Sequence, residues 1–142
     1  NEVTTEGGLQ VDLNPSTLNL ALATLKERGI HSSLFIDPDP SVIHQALSLK
    51  PDAIEINTNH YSLQMVGSPG FIEALEKIKE CAQLIHNHGV RVLAGHGLNR
   101  HNVQAISKIP IIDELNIGHA IVARSLYVGF SRAVHEILTH LK

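Results

Sequence analysis

The sequence lacks several features that particular classes of protein require. It has no tryptophan and only 4% aromatic residues, which argues against a surface on which nucleic-acid bases stack. Its net charge of −3 and pI of about 6.4 also differ from the basic stripe of a nucleic-acid-binding protein. We therefore expect no nucleic-acid partner.

Cysteine and long apolar runs are scarce as well. Cys81 is the single cysteine, which excludes an intrachain disulfide and fits a reducing, cytoplasmic location. No apolar run reaches the ~18 residues of a membrane-spanning helix, and residues 1–5 (NEVTT) lack a secretory signal pattern. We therefore expect no membrane partner. Because the chain does not start with Met, we expect it to begin inside a longer one.

Several catalytic and cofactor motifs are missing. The histidines show no zincin-type spacing and there is no cysteine pair, so we expect no metal site. A GxSxG elbow, a Walker loop and a GxGxxG dinucleotide fingerprint are also absent. We expect no cofactor.

What is present alternates between strand and helix signals. Apolar runs predict strands at residues 30–36, 53–57, 90–94 and 114–117. Helical segments follow them; one begins at Asp39-Pro40 and runs to about Leu49, and a long one spans 71–88. The apolar stripe expected to face inward on the long helix is Ile72, Leu75, Ile78, Ala82 and Ile85.

This regular order predicts an α/β protein with four parallel βα units. An open doubly wound sheet and a barrel both fit, and the missing GxGxxG fingerprint favours the barrel. A complete (β/α)8 TIM barrel needs about 250 residues, so 142 residues make half of one.

Two glycine–histidine loops follow the last two predicted strands. His96 lies between Gly95 and Gly97, and His119 follows Gly118. Ligands bind at the C-terminal ends of parallel strands, where barrels commonly hold a phosphate. The alternative is a pair of tight turns with exposed histidines. Two such loops in succession favour phosphate binding.

Glu55 is a second candidate. Alternation in its strand directs Ile54 and Ile56 toward the helices and turns Glu55 and Asn57 toward the barrel interior. A carboxylate there needs a partner or a function; a rim salt bridge is the alternative. The loop at residues 4–8 (TTEGG) also suits a polar ligand, although ordinary turns have the same composition.

Six motifs in this order resemble the pyridoxine 5′-phosphate synthase family of vitamin B6 biosynthesis. They are residues 2–9 (EVTTEGGL), 33–37 (SLFID), 54–56 (IEI), 94–98 (AGHGL), 101–103 (HNV) and 114–121 (ELNIGHAI). The resemblance spans essentially the whole chain and implies that residues 1–142 are the C-terminal half of a TIM barrel.

The resemblance also implies an activity. The family condenses 1-deoxy-D-xylulose 5-phosphate with 3-amino-2-oxopropyl phosphate to pyridoxine 5′-phosphate, inorganic phosphate and water. It implies that His96 is the proton donor and that Glu55 stabilises the transition state. The substrate-binding residues it implies are Thr4, Gly97, Gly118 and His119.

Two departures from the family pattern stand out. Residues 57–59 read Asn-Thr-Asn, where the family commonly has His-Thr-Gly. The motifs of the family's N-terminal half, including its proton acceptors, are absent. We therefore expect this segment to need that half as a partner, to be inactive and unstable alone, and to assemble as a homo-oligomer, an octamer by resemblance.

Two other functions remain open. Another phosphate-binding barrel enzyme, an isomerase or aldolase, could use the same loops, although an aldolase would want a lysine at a strand end. The third possibility is a non-catalytic half-barrel that binds a phosphorylated ligand.

Overall fold

The computed structural model describes residues 7–11 and 15–141. The strands in this part of the chain are β1 (Ser33–Ile36), β2 (Ala53–Asn57), β3 (Arg91–Gly95) and β4 (Glu114–Asn116). The helices are α1 (Pro15–Glu27), α2 (Pro40–Ser48), α3 (Asn59–Ser62), α4 (Pro69–Asn87), α5 (Val103–Ser107), α6 (His119–Val128) and α7 (Phe130–Leu138). None of the described helices is long and apolar enough to cross a bilayer.

The four strands form one parallel sheet in the order β1-β2-β3-β4. Its register aligns Phe35 with Glu55, Glu55 with Leu93 and Leu93 with Glu114. The predicted α/β class with four parallel βα units is therefore confirmed. A sheet of this kind, with β1 and β4 at its edges, is consistent with half of an eight-stranded barrel.

Alternation along β2 separates the hydrophobic core from the opposite face of the sheet. Ile54 and Ile56 are fully buried in the cluster that also contains Ile78 and Ile85 of α4. Each such side chain contributes about 1.5–3 kcal/mol of burial free energy. Glu55 lies on the other face and is half-buried, as the pattern predicts.

The helix boundaries follow local capping chemistry. Asp39 caps α2 through hydrogen bonds from Ser41, and Pro40 occupies the first turn. Gly29, at φ +68°, ends α1 with its amide donating to the carbonyl of Lys26. The start of α2 at Asp39-Pro40 agrees with the sequence prediction.

The region before α4 differs from that prediction. The expected loop contains α3, and α4 begins at Pro69 with the Ser68 hydroxyl accepting from the Phe71 amide. Ser68-Pro69 repeats the cap-then-proline pattern of α2. The buried face of α4 starts with Phe71 and Ala74. Ile72, by contrast, is 54% exposed. Placing Ile72 on the inner stripe was wrong because it lies about 100° around the helix from Phe71.

Candidate active site

A cavity of about 790 Å³ opens at the C-terminal ends of the strands. It is lined by Phe35, Glu55, His96, Gly97, Leu98, Asn99, Asn116, Ile117, Gly118, His119 and Ala120. The fold thus brings together five of the six site residues predicted from the sequence. Thr4 lies outside the described residues. The two glycine–histidine loops are neighbours on one cavity because β3 and β4 are adjacent and parallel.

Glu55 reaches into the cavity from the middle of β2. Its Oε2 accepts a hydrogen bond of 2.8 Å from Nδ2 of Asn116, at the end of β4. Burial raises the pKa of the Glu55 carboxyl and nearby Glu114 adds to the rise, while Asn116 and His96 oppose it. The pKa of this carboxyl group is therefore higher than that of an exposed glutamate.

Gly95 makes room for this pair. A Cβ atom at Gly95 would collide with Oε1 of Glu55 and would lie 3.0 Å from the Cβ of Asn116. Any side chain at this position would therefore displace the carboxylate. Gly95 is thus required to leave space for the Glu55 carboxylate, and not for the conformation of the loop that contains His96.

His96 follows Gly95 with φ +83°, and Gly97 follows at φ +74°. Its ring lies 6.1 Å from that of Phe35, centroid to centroid. A Cβ atom at Gly97 would collide with the side chain of Ser62. Gly97 therefore has to be glycine for both its backbone conformation and its space.

Buried Asn102 closes the loop after His96. Its Oδ1 accepts from the amide of Asn99 at 2.8 Å, and its Nδ2 donates to the carbonyl of Gly97 at 3.3 Å. The hydroxyl of Tyr61 donates to the backbone carbonyl of Asn102. This network fixes the path of the chain around the cavity rim.

Gly118 and His119 form the start of α6. Gly118 is the N-cap at φ −116°, and no side chain in the described part of the chain caps the helix. A Cβ atom at Gly118 would have no described atom within 4 Å. Gly118 therefore does not have to be glycine for a positive φ. Instead the first-turn amides of α6 face an open approach suited to an anion.

Asn57, one of the two asparagines that depart from the family pattern, is buried at the end of β2. Asn57 is 4% exposed, and its Nδ2 donates to Oδ1 of Asp37 at 2.7 Å. The same Asp37 oxygen accepts from the amide of Gly8 at 2.9 Å. Asn57 thus joins the end of β2 to the loop after β1, and it does not line the cavity although its strand face agrees with that of Glu55.

Asn116 and Phe35 are cavity residues that the sequence reasoning did not single out. Asn116 pairs with Glu55 across 61 positions of sequence, a separation that no local pattern reveals. The available signal was its place at the end of a predicted strand. Among the described residues, no group of three or more His, Cys, Asp or Glu side chains could hold a metal ion.

Comparison with known proteins identifies a family that matches this chain. The family model described as "Pyridoxal phosphate biosynthesis protein PdxJ" matches residues 1–142. A pyridoxine 5′-phosphate synthase of Coxiella burnetii (strain RSA 493 / Nine Mile phase I) is 43% identical over 138 residues, covering 97% of this chain and 57% of that protein. One from Aquifex pyrophilus is 44% identical over 142 residues, covering 96% of this chain and 59% of the relative. The chain thus spans somewhat more than half the length of these relatives.

A solved structure shares the fold. It is the crystal structure of the Amycolatopsis orientalis BexX/CysO complex, with a TM-score of 0.57 and 17% sequence identity. The match covers 87% of this chain and 48% of that chain. At this identity the likeness concerns the fold alone.

Proposed function

The chain belongs to the PdxJ family of pyridoxal phosphate biosynthesis proteins, and from that premise we propose that it forms part of a pyridoxine 5′-phosphate synthase. In this proposal the chain contributes the proton donor and the phosphate-binding loops to the active site. The observation that carries this proposal is the single cavity onto which Glu55, His96 and His119 all open.

The proposed substrates are 1-deoxy-D-xylulose 5-phosphate and 3-amino-2-oxopropyl phosphate. Two phosphoryl groups enter the reaction; one leaves as inorganic phosphate and one remains in pyridoxine 5′-phosphate. Such a site needs amide donors and cationic or neutral imidazoles near the phosphates. The start of α6 and the Gly97 loop offer these groups.

Phosphate binding is assigned to the α6 N-terminus. This helix has 10 residues, so its first-turn amides and its dipole both attract a dianion. Gly118 leaves the approach to these amides open, and His119 stands at the first helical position. Gly97 adds a backbone donor from the adjacent loop.

His96 and Glu55 carry the chemistry. His96 donates a proton to a reacting oxygen or carbon of the bound substrate, which suits an imidazole near neutral pH. The half-buried carboxyl group of Glu55, steadied by Asn116, stabilises developing positive charge in the transition state. The proton acceptors belong, by resemblance, to the part of the relatives that this chain does not match.

That missing part is the proposed partner. It pairs with this chain to close a barrel, and the complete protein assembles as a homo-oligomer, an octamer by resemblance to the family. A cavity closed on all sides excludes water from the reacting groups, which strengthens their electrostatic effects.

A chimera tests the proposal. In it, residues 1–142 replace the matching part of the Aquifex pyrophilus relative, and formation of pyridoxine 5′-phosphate is measured. We expect activity, and a loss of about 100-fold or more in kcat for His96→Asn. His86→Asn, an exposed position at the end of α4, serves as the matched control and should leave kcat unchanged.

Gly118→Ala tests the phosphate site in the same chimera. Alanine is compatible with the backbone and space at this position, so the fold should persist while the added methyl group obstructs the α6 amides. We expect KM to rise about tenfold. Phosphorylated ligand binding without turnover in the chimera would favour the non-catalytic module, and an active Gly118→Ala variant with unchanged KM would contradict the assigned phosphate site.

A further inference from the structure

The backbone at His96 is in an unusual conformation. It is one of two described residues other than glycine with positive φ, at +83°. A side chain in this region costs of order 1–3 kcal/mol and persists only where its surroundings hold it. A neighbouring group must therefore hold the backbone of His96 in place.

Thr58 is that group. It is fully buried directly after β2. Its Oγ1 lies 2.6 Å from the carbonyl oxygen of His96 and 2.8 Å from that of Gly95. Because the Gly95 carbonyl already accepts from the backbone amide of Thr58 at 2.8 Å, the single hydroxyl hydrogen is best directed to His96.

The strand register explains why a side chain is needed here. Asn57 is paired with Gly95 as the last residues of the β2–β3 ladder. The turn to positive φ at His96 takes the chain out of strand geometry, so backbone pairing ends at this point. The Thr58 hydroxyl supplies a hydrogen bond one residue beyond the ladder, and Ser62 packs against Gly97 from the same side.

We propose that Thr58 is a positioning residue that holds the strained His96 backbone, so that the imidazole enters the cavity. Thr58 does not line the cavity itself and acts only through His96. This inference rests on the proposed function, in which His96 is the proton donor. It also gives a role to the middle residue of the Asn57–Asn59 segment.

The test compares three variants of the chimera. Thr58→Val keeps the shape of the side chain and removes the hydroxyl, and Thr58→Ser keeps the hydroxyl. Ile78→Val removes one methyl group from the buried face of α4 and leaves the hydroxyl in place. We expect Thr58→Val to lower kcat about 10- to 100-fold, since small displacements of a reacting group are this costly. KM should change less than about twofold, because phosphate is bound by α6. Thr58→Ser should restore most of kcat, and Ile78→Val should leave it unchanged.

A second readout does not depend on activity. Amide hydrogen exchange at Asn99, whose amide donates to Oδ1 of Asn102 in the loop after His96, should be faster in Thr58→Val and return to the parent rate in Thr58→Ser. Exchange rates are normalised to the amount of folded protein in each sample. If Thr58→Val does not fold, Thr58→Ala takes its place.

The outcomes separate the two proposals. An inactive parent chimera contradicts the proposed function, while the exchange measurement still decides the role of Thr58. An active parent whose Thr58→Val variant keeps its kcat and its exchange rates overturns this inference alone. An equal loss of kcat in Thr58→Val and Ile78→Val also overturns it, because general destabilisation would then explain both.

Discussion

Three glycines shape the cavity, each for a different physical reason. Gly95 leaves space for the Glu55–Asn116 pair, and Gly97 combines positive φ with close packing against Ser62. Gly118 needs neither, and under the proposed function it keeps the approach to the α6 amides open. A glycine in a sequence motif therefore does not by itself tell whether a turn, a contact or a ligand requires it.

The carboxyl group of Glu55 gives a pH-dependent prediction. Its pKa is raised above the ordinary value of 4.5, mainly by burial, so the folded state holds its proton more tightly than the unfolded state. Stability associated with this group is present at acidic pH and declines as pH rises from about 4.5 through the folded pKa. Glu55→Gln should remove that decline.

The measurement is the urea midpoint of the parent chimera and of Glu55→Gln across pH 4 to 7, roughly the range in which a raised carboxyl pKa acts. The difference in stability should move in favour of the glutamine variant as pH rises. Glu80→Gln, at an exposed position on α4, provides the control and should show no such trend. A difference in stability that moves in favour of the parent as pH rises would contradict the assigned burial effect.

At the scale of single elements, capping residues decide where helices begin. Asp39 accepts from the amide of Ser41 at 2.8 Å and from its hydroxyl at 2.6 Å, and these bonds lower the pKa of Asp39. The loop that precedes α2 also contains Asp37, which binds Gly8 and Asn57. The start of α2 is therefore close in sequence to the contacts that join the loop after β1 to the end of β2.

Asp39→Ala should destabilise the protein by about 1 kcal/mol, the usual cost of losing such a cap. Asp39→Asn keeps a capping oxygen and should cost less. Because the folded pKa of Asp39 is lowered from 3.8, its ionic contribution is present above that value and is lost as pH falls through the folded pKa. The check is the free energy of unfolding in urea of the parent chimera and of these two variants, measured at neutral and at acidic pH. Equal stability of parent and alanine variant at neutral pH would contradict the cap.

For the molecule as a whole, apolar side chains are exposed on α1, which precedes the edge strand β1, and on α6, which follows the edge strand β4. Val122, Leu126 and Tyr127 on α6 are 57%, 83% and 86% exposed, and Leu20 on α1 is 70% exposed. Within the described residues, β4 pairs only with β3. An unpaired edge beside apolar surface favours association with another chain.

We therefore predict that residues 1–142 alone self-associate, and that adding the remaining part of the Aquifex pyrophilus relative suppresses this. Light scattering and sedimentation measure the outcome, with Leu126→Lys as a variant that should lower self-association of the isolated segment. Tyr61→Phe, which alters a buried residue away from these helices, is the control for general destabilisation. A monomeric segment with a cooperative thermal transition would contradict the prediction.

Much of the local structure follows from sequence alone. Strand alternation and the caps at Asp39 and Gly29 depend on interactions between residues that are close in the chain. The parallel order of the βα units follows from the regular alternation of strands and helices along the sequence. The position of His96 and His119 at the same end of the sheet also follows, because all parallel strands point the same way. The family resemblance, confirmed by the match over residues 1–142, rests on the same local motifs.

Only the tertiary structure decided which side chains meet. The Asn116–Glu55 bond joins residues 61 positions apart, and the Thr58–His96 bond joins residues 38 apart. Both depend on strand register and on loop conformations such as φ +83° at His96, which local propensity does not encode. The sequence thus specified the elements and their direction, and packing across the sheet specified the contacts that shape the cavity.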